Sequence, residues 1–233
     1  MFETLIAGKE RNLVGYRWDF KVVVDNLDEF AVAIQTTLVV SALAMGVALV
    51  LGLIIALMRL SKRRALNIPA RAYINFFQGS PQYVLIFWVY YGLAMLIDVN
   101  FSPFVAGAIA LSTQYGGFLA EIYRSGIEAI DRGQREAAAA MGLTTRHTFQ
   151  YVIFPQAIRI VLPAIGNNWI SIVKDSSLLN IIGVMEIMRT AYLNSNDYFR
   201  PFEFYTLAAV IYIGLTFLFS VGNRALEQRL SIT

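Results

Sequence analysis

The chain has 233 residues, of which 57% are hydrophobic and 15% are charged, and its formal net charge is only +3. An ordinary soluble domain is excluded, because such domains carry about a quarter charged residues. Cysteine is absent and there is one histidine, so disulfides, thiolate metal sites and a histidine metal cluster are excluded as well.

Charge-free runs mark the predicted membrane spans, because a charged side chain at the bilayer centre costs about 2.5 to 3.5 kcal/mol on insertion scales. About 20 residues suffice to cross the hydrocarbon core. Five segments reach this length, and only the fourth contains a charge, Arg159. The sequence therefore predicts an all-α integral membrane protein with about five transmembrane helices. The predicted spans are 30–58, 72–97, 99–120, 151–173 and 204–223.

The connections between the spans differ in length and in expected structure. Residues 98–102 are polar and precede Pro103, which is well placed at the first position of a helix, so spans two and three are predicted to form a tight hairpin. The connections 121–150 and 174–203 are much longer, and long ordered connections usually carry function. The second contains an apolar stretch, 178–188, that is too short to span and is expected to be re-entrant or interfacial.

The distribution of basic residues predicts the orientation of the chain. With five spans, one side carries eleven Lys and Arg against five Asp and Glu, and the other carries seven against eleven. The positive-inside rule places the first side, with the C-terminus, in the cytoplasm. The predicted organisation is an extracytoplasmic or interfacial segment 1–29, a membrane domain 30–225 and a cytoplasmic tail 226–233.

A run of four alanines predicts a short helix at about 134–142, inside the cytoplasmic connection, because alanine has the highest intrinsic helix propensity. Gly142 can adopt the left-handed conformation that ends a helix, and Thr144 or Thr145 can cap the next one. The side chains on the alanine face of this helix are small and bury little surface within the chain. It suits either close approach by another protein or a connector that has no partner.

The segment 136–155 resembles a known motif. In the EAA motif of binding-protein-dependent ABC importer permeases the pattern is E-A-A-x3-G-x9-I-x-L-P, and this chain departs from it only at Val152 and Phe154, which keep an apolar side chain. The resemblance makes 134–142 a coupling helix. The residues that would carry the coupling are Glu136, Ala137, Ala138, Gly142 and Pro155.

Four further segments are similar to the polar amino acid permeases of the same superfamily, and together they cover about 30–225. The segments 78–81, 120–127, 163–167 and 174–178 look like the family's R-G-T-P, A-E-I-x-R-G-G-I, P-A-L-G-N and K-D-T-S-L. Gln78 stands where the family has arginine, so the role of that arginine is not carried over to this chain.

The resemblance implies the type I ABC importer permease fold and a set of partners in a bacterial inner membrane. These are a cytoplasmic ABC ATPase dimer, a second permease subunit of the same or a different kind, and an extracytoplasmic substrate-binding protein. The chain contains no phosphate-binding loop of the form G-x4-G-K-[ST]. ATP and Mg are therefore expected on the partner ATPase, and this chain is expected to bind no cofactor and no metal and to be no enzyme itself.

Polar groups at membrane depth tend to line a translocation path. Asp175 would accept a hydrogen bond from a substrate ammonium, and the hydroxyls of Ser176 and Ser177 would donate to its carboxylate. Lys174 and Asp175 equally fit the outer interface, and Gln114 equally fits a hydrogen bond between helices. The candidates for the path are Lys174, Asp175, Ser176, Ser177, Gln114, Tyr115 and Gln78.

Three other functions remain open at this stage. A permease for another small solute would share the EAA helix, and an ATP-independent channel or secondary transporter would use the same polar residues without it. A membrane-embedded enzyme fits less well, because the spans contain no recognisable catalytic constellation.

Overall fold

A computed structural model describes residues 18–230 of the chain, and the secondary structure of this part is entirely helical. The predicted all-α fold is confirmed. The helices are α1 Lys21–Asp25, α2 Leu27–Leu60, α3 Arg64–Gly79, α4 Gln82–Ile97, α5 Pro103–Glu128, α6 Arg132–Ala140, α7 Thr145–Ile182, α8 Ile187–Asp197 and α9 Pro201–Leu230.

Helices α2 and α5 form the centre of the bundle. They approach so closely that a Cβ atom added to Gly52 would lie 2.8 Å from Cβ of Leu119 and 3.1 Å from the carbonyl oxygen of Gly116. Further along the same two helices, Val40, Ala44 and Leu111 are fully buried in the core. Small residues at the crossing allow the backbones of α2 and α5 to touch, as expected where lipid offers no hydrophobic driving force.

Three helices, α2, α7 and α9, are long and apolar enough to cross a membrane, and the pair α3–α4 makes a fourth span if its two parts are taken together. Helix α5, with 26 residues, is about 39 Å long and has the length to cross as well. It lies inside the bundle and carries polar residues such as Gln114. Together these account for the five predicted spans.

The prediction that 72–97 forms one straight membrane-spanning helix is wrong. Helices α3 and α4 meet at an angle of 108°. Ser80 and Pro81 between them have extended backbone, with ψ of 132° and 127°. A residue before proline avoids the helical region, so Pro81 forces the interruption. The Ser80 hydroxyl donates to the carbonyl of Phe76 at 2.6 Å, which satisfies one acceptor at the end of α3.

The predicted hairpin between spans two and three is confirmed. Asp98 ends α4 in the left-handed conformation, with φ of 55°. The Ser102 hydroxyl accepts from the Val105 amide at 3.3 Å, and Pro103 occupies the first turn of α5. Two other helix boundaries differ from the predicted spans 99–120 and 151–173. Helix α5 continues to Glu128, and α7 begins at Thr145. The predicted loop 121–150 is therefore mostly helix.

Helix α7 is long and irregular. It starts with one α-turn, passes through a π-helical turn at Phe149–Ile153, continues as regular helix over Phe154–Asp175 and ends in a 3₁₀ segment, Ser176–Ile182. Pro155 lies just after the π segment, inside α7, where its missing N–H leaves a carbonyl of the preceding turn without its usual helical donor. Helix α7 itself starts ten residues earlier, at Thr145, and the role of Pro155 in coupling stays a prediction.

The predicted outer connection 174–203 is mostly helical and partly buried. After Gly183, which has φ of 92°, the chain enters α8, and Leu179 and Ile187 are fully buried against the bundle. The apolar stretch 178–188 thus packs inside the protein. Glu186, also fully buried, fixes it by accepting hydrogen bonds from the Arg189 amide at 2.7 Å and the Tyr212 hydroxyl at 2.6 Å.

The predicted terminal segments are partly helical. Trp18 packs edge-on against Phe202 with ring centroids 4.2 Å apart, and Val23 of α1 is buried. At the other end α9 runs to Leu230, so the predicted tail from residue 226 begins as helix. Residues 1–17 and 231–233 of the predicted terminal segments lie outside the described part of the chain.

Candidate functional site

The predicted alanine helix exists as α6, two residues earlier than expected at each end. Its N-cap is Asp131, whose carboxylate accepts from the Gly133 amide at 2.6 Å. A carboxylate at this position satisfies a free amide and faces the positive end of the helix dipole. The nine residues of α6 therefore form a stable short helix, with Glu136 in its middle and not in a capping role.

Gly142 ends α6 as the sequence predicts. It has φ of +78°, its amide donates to the Ala139 carbonyl and the Leu143 amide donates to the Ala138 carbonyl, both at 3.0 Å. This pair of hydrogen bonds is the Schellman arrangement. The Thr144 hydroxyl then accepts from the His147 amide at 3.3 Å and starts α7. Helices α6 and α7 are joined by a tight, hydrogen-bonded corner.

Most of α6 faces away from the rest of the chain. Ala138 is 1% exposed and packs on the first turns of α7, whereas Glu136 and Ala137 are exposed and Met141 is 74% exposed. Within residues 18–230, the side chain of Glu136 forms neither an ion pair nor a hydrogen bond. An exposed helix of small residues next to an exposed methionine is a surface that another protein can approach closely.

A second group of predicted residues meets between α5 and α7. The Tyr115 hydroxyl donates to Oδ2 of Asp175 at 2.7 Å, although the two residues are 60 positions apart. Beside this bond is a cleft of about 310 Å³. Its lining comprises Tyr115, Phe118, Asn168, Ser171, Lys174 and Asp175.

Lys174 stands between this cleft and a second one. The second cleft, of about 520 Å³, lies between α7 and α9 and shares Ser171 and Lys174 with the first. Thr216 and Ser220 of α9 contribute hydroxyls to it. Lys174 is exposed, and no carboxylate within 4.0 Å pairs with its ammonium in the described part of the chain. Its charge is available to a ligand in either cleft.

The structure does not bring the other four path candidates into the clefts. Ser176 is buried and donates to the Val173 carbonyl at 2.8 Å. Ser177 is half-buried, and neither cleft is lined by it. Gln114 donates to the Ser80 carbonyl at 2.9 Å, and Gln78 donates to the Gly117 carbonyl at 3.1 Å. Both glutamines brace the α3–α4 junction against α5.

Two polar residues of the first cleft, Asn168 and Ser171, were missed by the sequence argument. With Asp175 they recur at a spacing of three and four along α7, which places them on one face of a helix. A polar stripe on a mostly apolar span is a signal that could have found them. Among residues 18–230 no three His, Asp or Glu side chains are grouped as a metal site would require.

Comparison with known proteins assigns the family. The profile of the "Binding-protein-dependent transport system inner membrane component" family matches residues 48–232. The chain belongs to this family. It is an ABC importer permease subunit, as the EAA motif predicted.

Relatives of this permease agree with the assignment. It is 34% identical over 209 residues to a protein of Bacillus subtilis named as a probable glutamine ABC transporter permease, covering 90% of this chain and 96% of that one. It is 33% identical over 207 residues to an arginine ABC transporter permease of Haemophilus influenzae, covering 86% and 92%.

Solved structures confirm the fold. The permease superimposes on a chain from the crystal structure of an amino acid ABC transporter with histidines with a TM-score of 0.88 and 36% identity, covering 92% of this chain and all of that one. A chain of the methionine transporter MetNI, at 18% identity and a TM-score of 0.76, shares the fold. The predicted type I importer permease architecture is confirmed.

Proposed function

We propose that this permease carries a polar amino acid or an amino acid derivative along the clefts around Lys174. The observation that supports this most is the placement of an unpaired ammonium next to a fixed carboxylate, Asp175, in one cleft. The names of the relatives, which include glutamine and arginine permeases, point to the same class of substrate.

The cleft offers complementary groups to both ends of a zwitterion. Asp175 gives one oxygen to Tyr115, and a carboxylate has about four lone-pair sites, so acceptor capacity remains for a substrate ammonium. Lys174 has three N–H donors and no acceptor, which suits a substrate carboxylate. Ser171 and Asn168 add neutral polar groups. In this proposal they replace Ser176 and Ser177, whose hydroxyls were expected to bind the carboxylate.

ATP hydrolysis takes place on a partner in this proposal. The exposed side of α6, with Glu136 and Ala137, docks on a cytoplasmic ABC ATPase dimer that binds ATP and Mg, while Ala138 holds α6 to α7. A second permease subunit completes the pore, and an extracytoplasmic binding protein delivers the substrate. Two observations support the proposal that the partner hydrolyses ATP while this chain forms the pore: the sequence contains no phosphate-binding loop, and α6 is exposed.

The proposed orientation has the N-terminus outside and the C-terminus in the cytoplasm of a bacterial inner membrane. Since the chain has no native cysteine, single cysteines can be introduced and labelled from either side. Asn100→Cys in the α4–α5 hairpin should react with a membrane-impermeant maleimide in intact cells, and Arg229→Cys should react only after lysis. The reverse pattern would overturn the orientation.

The substrate proposal is tested with the transporter reconstituted with its ATPase, second permease and binding protein. Lys174→Gln and Asp175→Asn should each reduce amino-acid-stimulated ATP hydrolysis by at least tenfold, because each removes a charge that pairs with the substrate. Ser177→Ala is the matched control and should have little effect. Equal losses in all three variants, or stimulation by no amino acid, would reject the proposed path. Transport that continues without ATP hydrolysis would favour a channel.

A further inference from the structure

An exposed basic corner joins α2 to α3. Between Glu29 and Asp98 the sequence contains no acidic residue, yet it contains five basic ones. Lys62, Arg63 and Arg64 are consecutive at the corner and all three are exposed. The corner follows directly on the apolar helix α2, so it lies at a membrane surface.

The corner is a fixed structure. Asn67, in the first turn of α3, donates to the Arg59 carbonyl at the end of α2, and Nη1 of Arg59 donates back to Oδ1 of Asn67 at 3.4 Å. The Ser61 hydroxyl accepts from the Arg63 amide at 3.2 Å. These bonds tie the two helices together on either side of the turn and hold the consecutive cations at its apex.

The cations at the corner lack counter-charges within the described part of the chain, where no carboxylate lies within 4.0 Å of Lys62, Arg63 or Arg64. The first turn of α3 contains no acidic residue, although that is where a carboxylate would be most favourable. Cations there add to the positive end of the helix dipole. The arrangement is unfavourable for the isolated chain and becomes favourable when an anionic surface neutralises it.

The exposed face of α3 continues with apolar groups. Ile68 is 61% exposed and Phe76 is 60% exposed, and Arg71 lies between them. Arg64, Ile68 and Arg71 recur at a spacing of four and three, so they lie on one side of the helix. The opposite side packs inward through Ala70 and Ile74, which are buried. Cations flanking exposed apolar side chains are typical of a helix that lies against lipid.

We infer that the α2–α3 corner and the exposed face of α3 bind the headgroups and upper acyl chains of anionic phospholipids, with Arg63 and Arg64 as the main headgroup contacts. Charge complementarity selects this occupant, because a run of unpaired cations at a membrane boundary attracts acidic headgroups. The inference requires only that the corner lies at a membrane surface, so it stands independently of the proposed substrate.

The test uses the full chain, purified in a neutral detergent, and fluorescent short-chain phosphatidylglycerol and phosphatidylcholine as probes. Each cation near an anionic surface contributes roughly fivefold to affinity. Arg63→Gln with Arg64→Gln should therefore weaken phosphatidylglycerol binding by about 25-fold and leave phosphatidylcholine binding unchanged. Arg63→Lys with Arg64→Lys should retain phosphatidylglycerol binding, which also shows that the corner tolerates substitution.

The matched control is Arg224→Gln with Arg229→Gln, which removes two exposed cations from α9. This variant should lose less than threefold in phosphatidylglycerol affinity. Equal losses in the two glutamine variants would overturn the inference, because they would show a general response to net charge. The inference also falls if wild type does not prefer phosphatidylglycerol. It falls as well if, in the purified complex with the ATPase subunit, the corner variant loses that subunit while its phosphatidylglycerol affinity is unchanged.

Discussion

Replacing Gly142 tests whether the shape of the α6–α7 corner transmits ATP hydrolysis to the pore. A Cβ added to Gly142 would meet no atom within 4 Å, so the effect of Gly142→Ala is conformational alone. A residue with a Cβ at φ of +78° costs about 1 to 2 kcal/mol. Since 1.4 kcal/mol is a factor of ten, the equilibrium between the formed and the unformed corner shifts about tenfold.

The assay is ATP hydrolysis by the reconstituted transporter, with and without substrate-loaded binding protein. Gly142→Ala should reduce the stimulated rate several-fold and leave the basal rate of the ATPase unchanged. Gly142→Asn should retain most of the stimulation, because asparagine tolerates the left-handed conformation far better than alanine does.

Gly46→Ala is the matched control for Gly142→Ala. Gly46 also has no atom within 4 Å of an added Cβ, but it lies inside α2 with ordinary helical backbone. It should therefore behave as wild type. If Gly142→Ala were as active as Gly46→Ala, or if Gly142→Asn were as impaired as Gly142→Ala, the reasoning from the left-handed corner would be refuted.

Two further predictions concern packing and pH. Gly126→Ala places a Cβ in steric conflict with Cγ2 of Val161, so it should destabilise the α5–α7 contact by about 1 to 3 kcal/mol in thermal unfolding. Val161→Ala in the same chain should restore stability. Burial raises the pKa of Glu186 from 4.5 to about 7. Between these two pKa values the Glu186 carboxyl holds a proton in the folded chain and has released it in the unfolded chain. The free energy of unfolding should therefore fall as pH rises from 5 to 7. Above pH 7 Glu186 should cause no further change. Glu186→Gln should remove this slope, and a variant that keeps the wild-type slope would contradict the assignment.

The α6 corner could be predicted from the sequence because everything that forms it is local. Alanine propensity, the glycine at the end and the threonine cap act within about a dozen residues, and each appears in the structure where expected. The N-cap Asp131 was not predicted, although an aspartate just before a helix is a recognised start signal.

The break between α3 and α4 was missed because hydropathy reports the length of an apolar segment and does not report a change in the direction of its helix axis. The run 72–97 has no charge, so it was taken as one span. The sequence does contain a signal for a helix break within this run, at Gly79, Ser80 and Pro81, because proline disfavours helical backbone in the residue before it. The hydrogen bonds of Gln78 and Gln114 across the break join distant parts of the chain and leave no local signal.

The cleft was predicted in part. Polarity alone identified Lys174 and Asp175, but choosing their neighbours required the helical phase. Because α7 stays helical through Asp175, Ser171 shares its face, while Ser176 turns inward and is buried. The bond from Tyr115 to Asp175 depends on how α5 packs against α7, which the pattern of a single segment does not contain.

Because α7 is continuous, a movement of the α6–α7 corner can be transmitted along it to the cleft beside Lys174. Thr144 caps one end of α7, and Asp175 lies 31 residues further along, about 46 Å at the rise of an α-helix. The π turn Phe149–Ile153 forms no side-chain hydrogen bond to another helix of the described chain, whereas the Pro163 carbonyl accepts from Asn223 of α9 at 3.1 Å. Bending should therefore concentrate at the π turn, where the apolar packing of Ile153 is not reinforced by a side-chain hydrogen bond to another helix. Beyond that turn we expect α7 to move together with α9, which would change the width of the cleft between α5 and α7 beside Lys174.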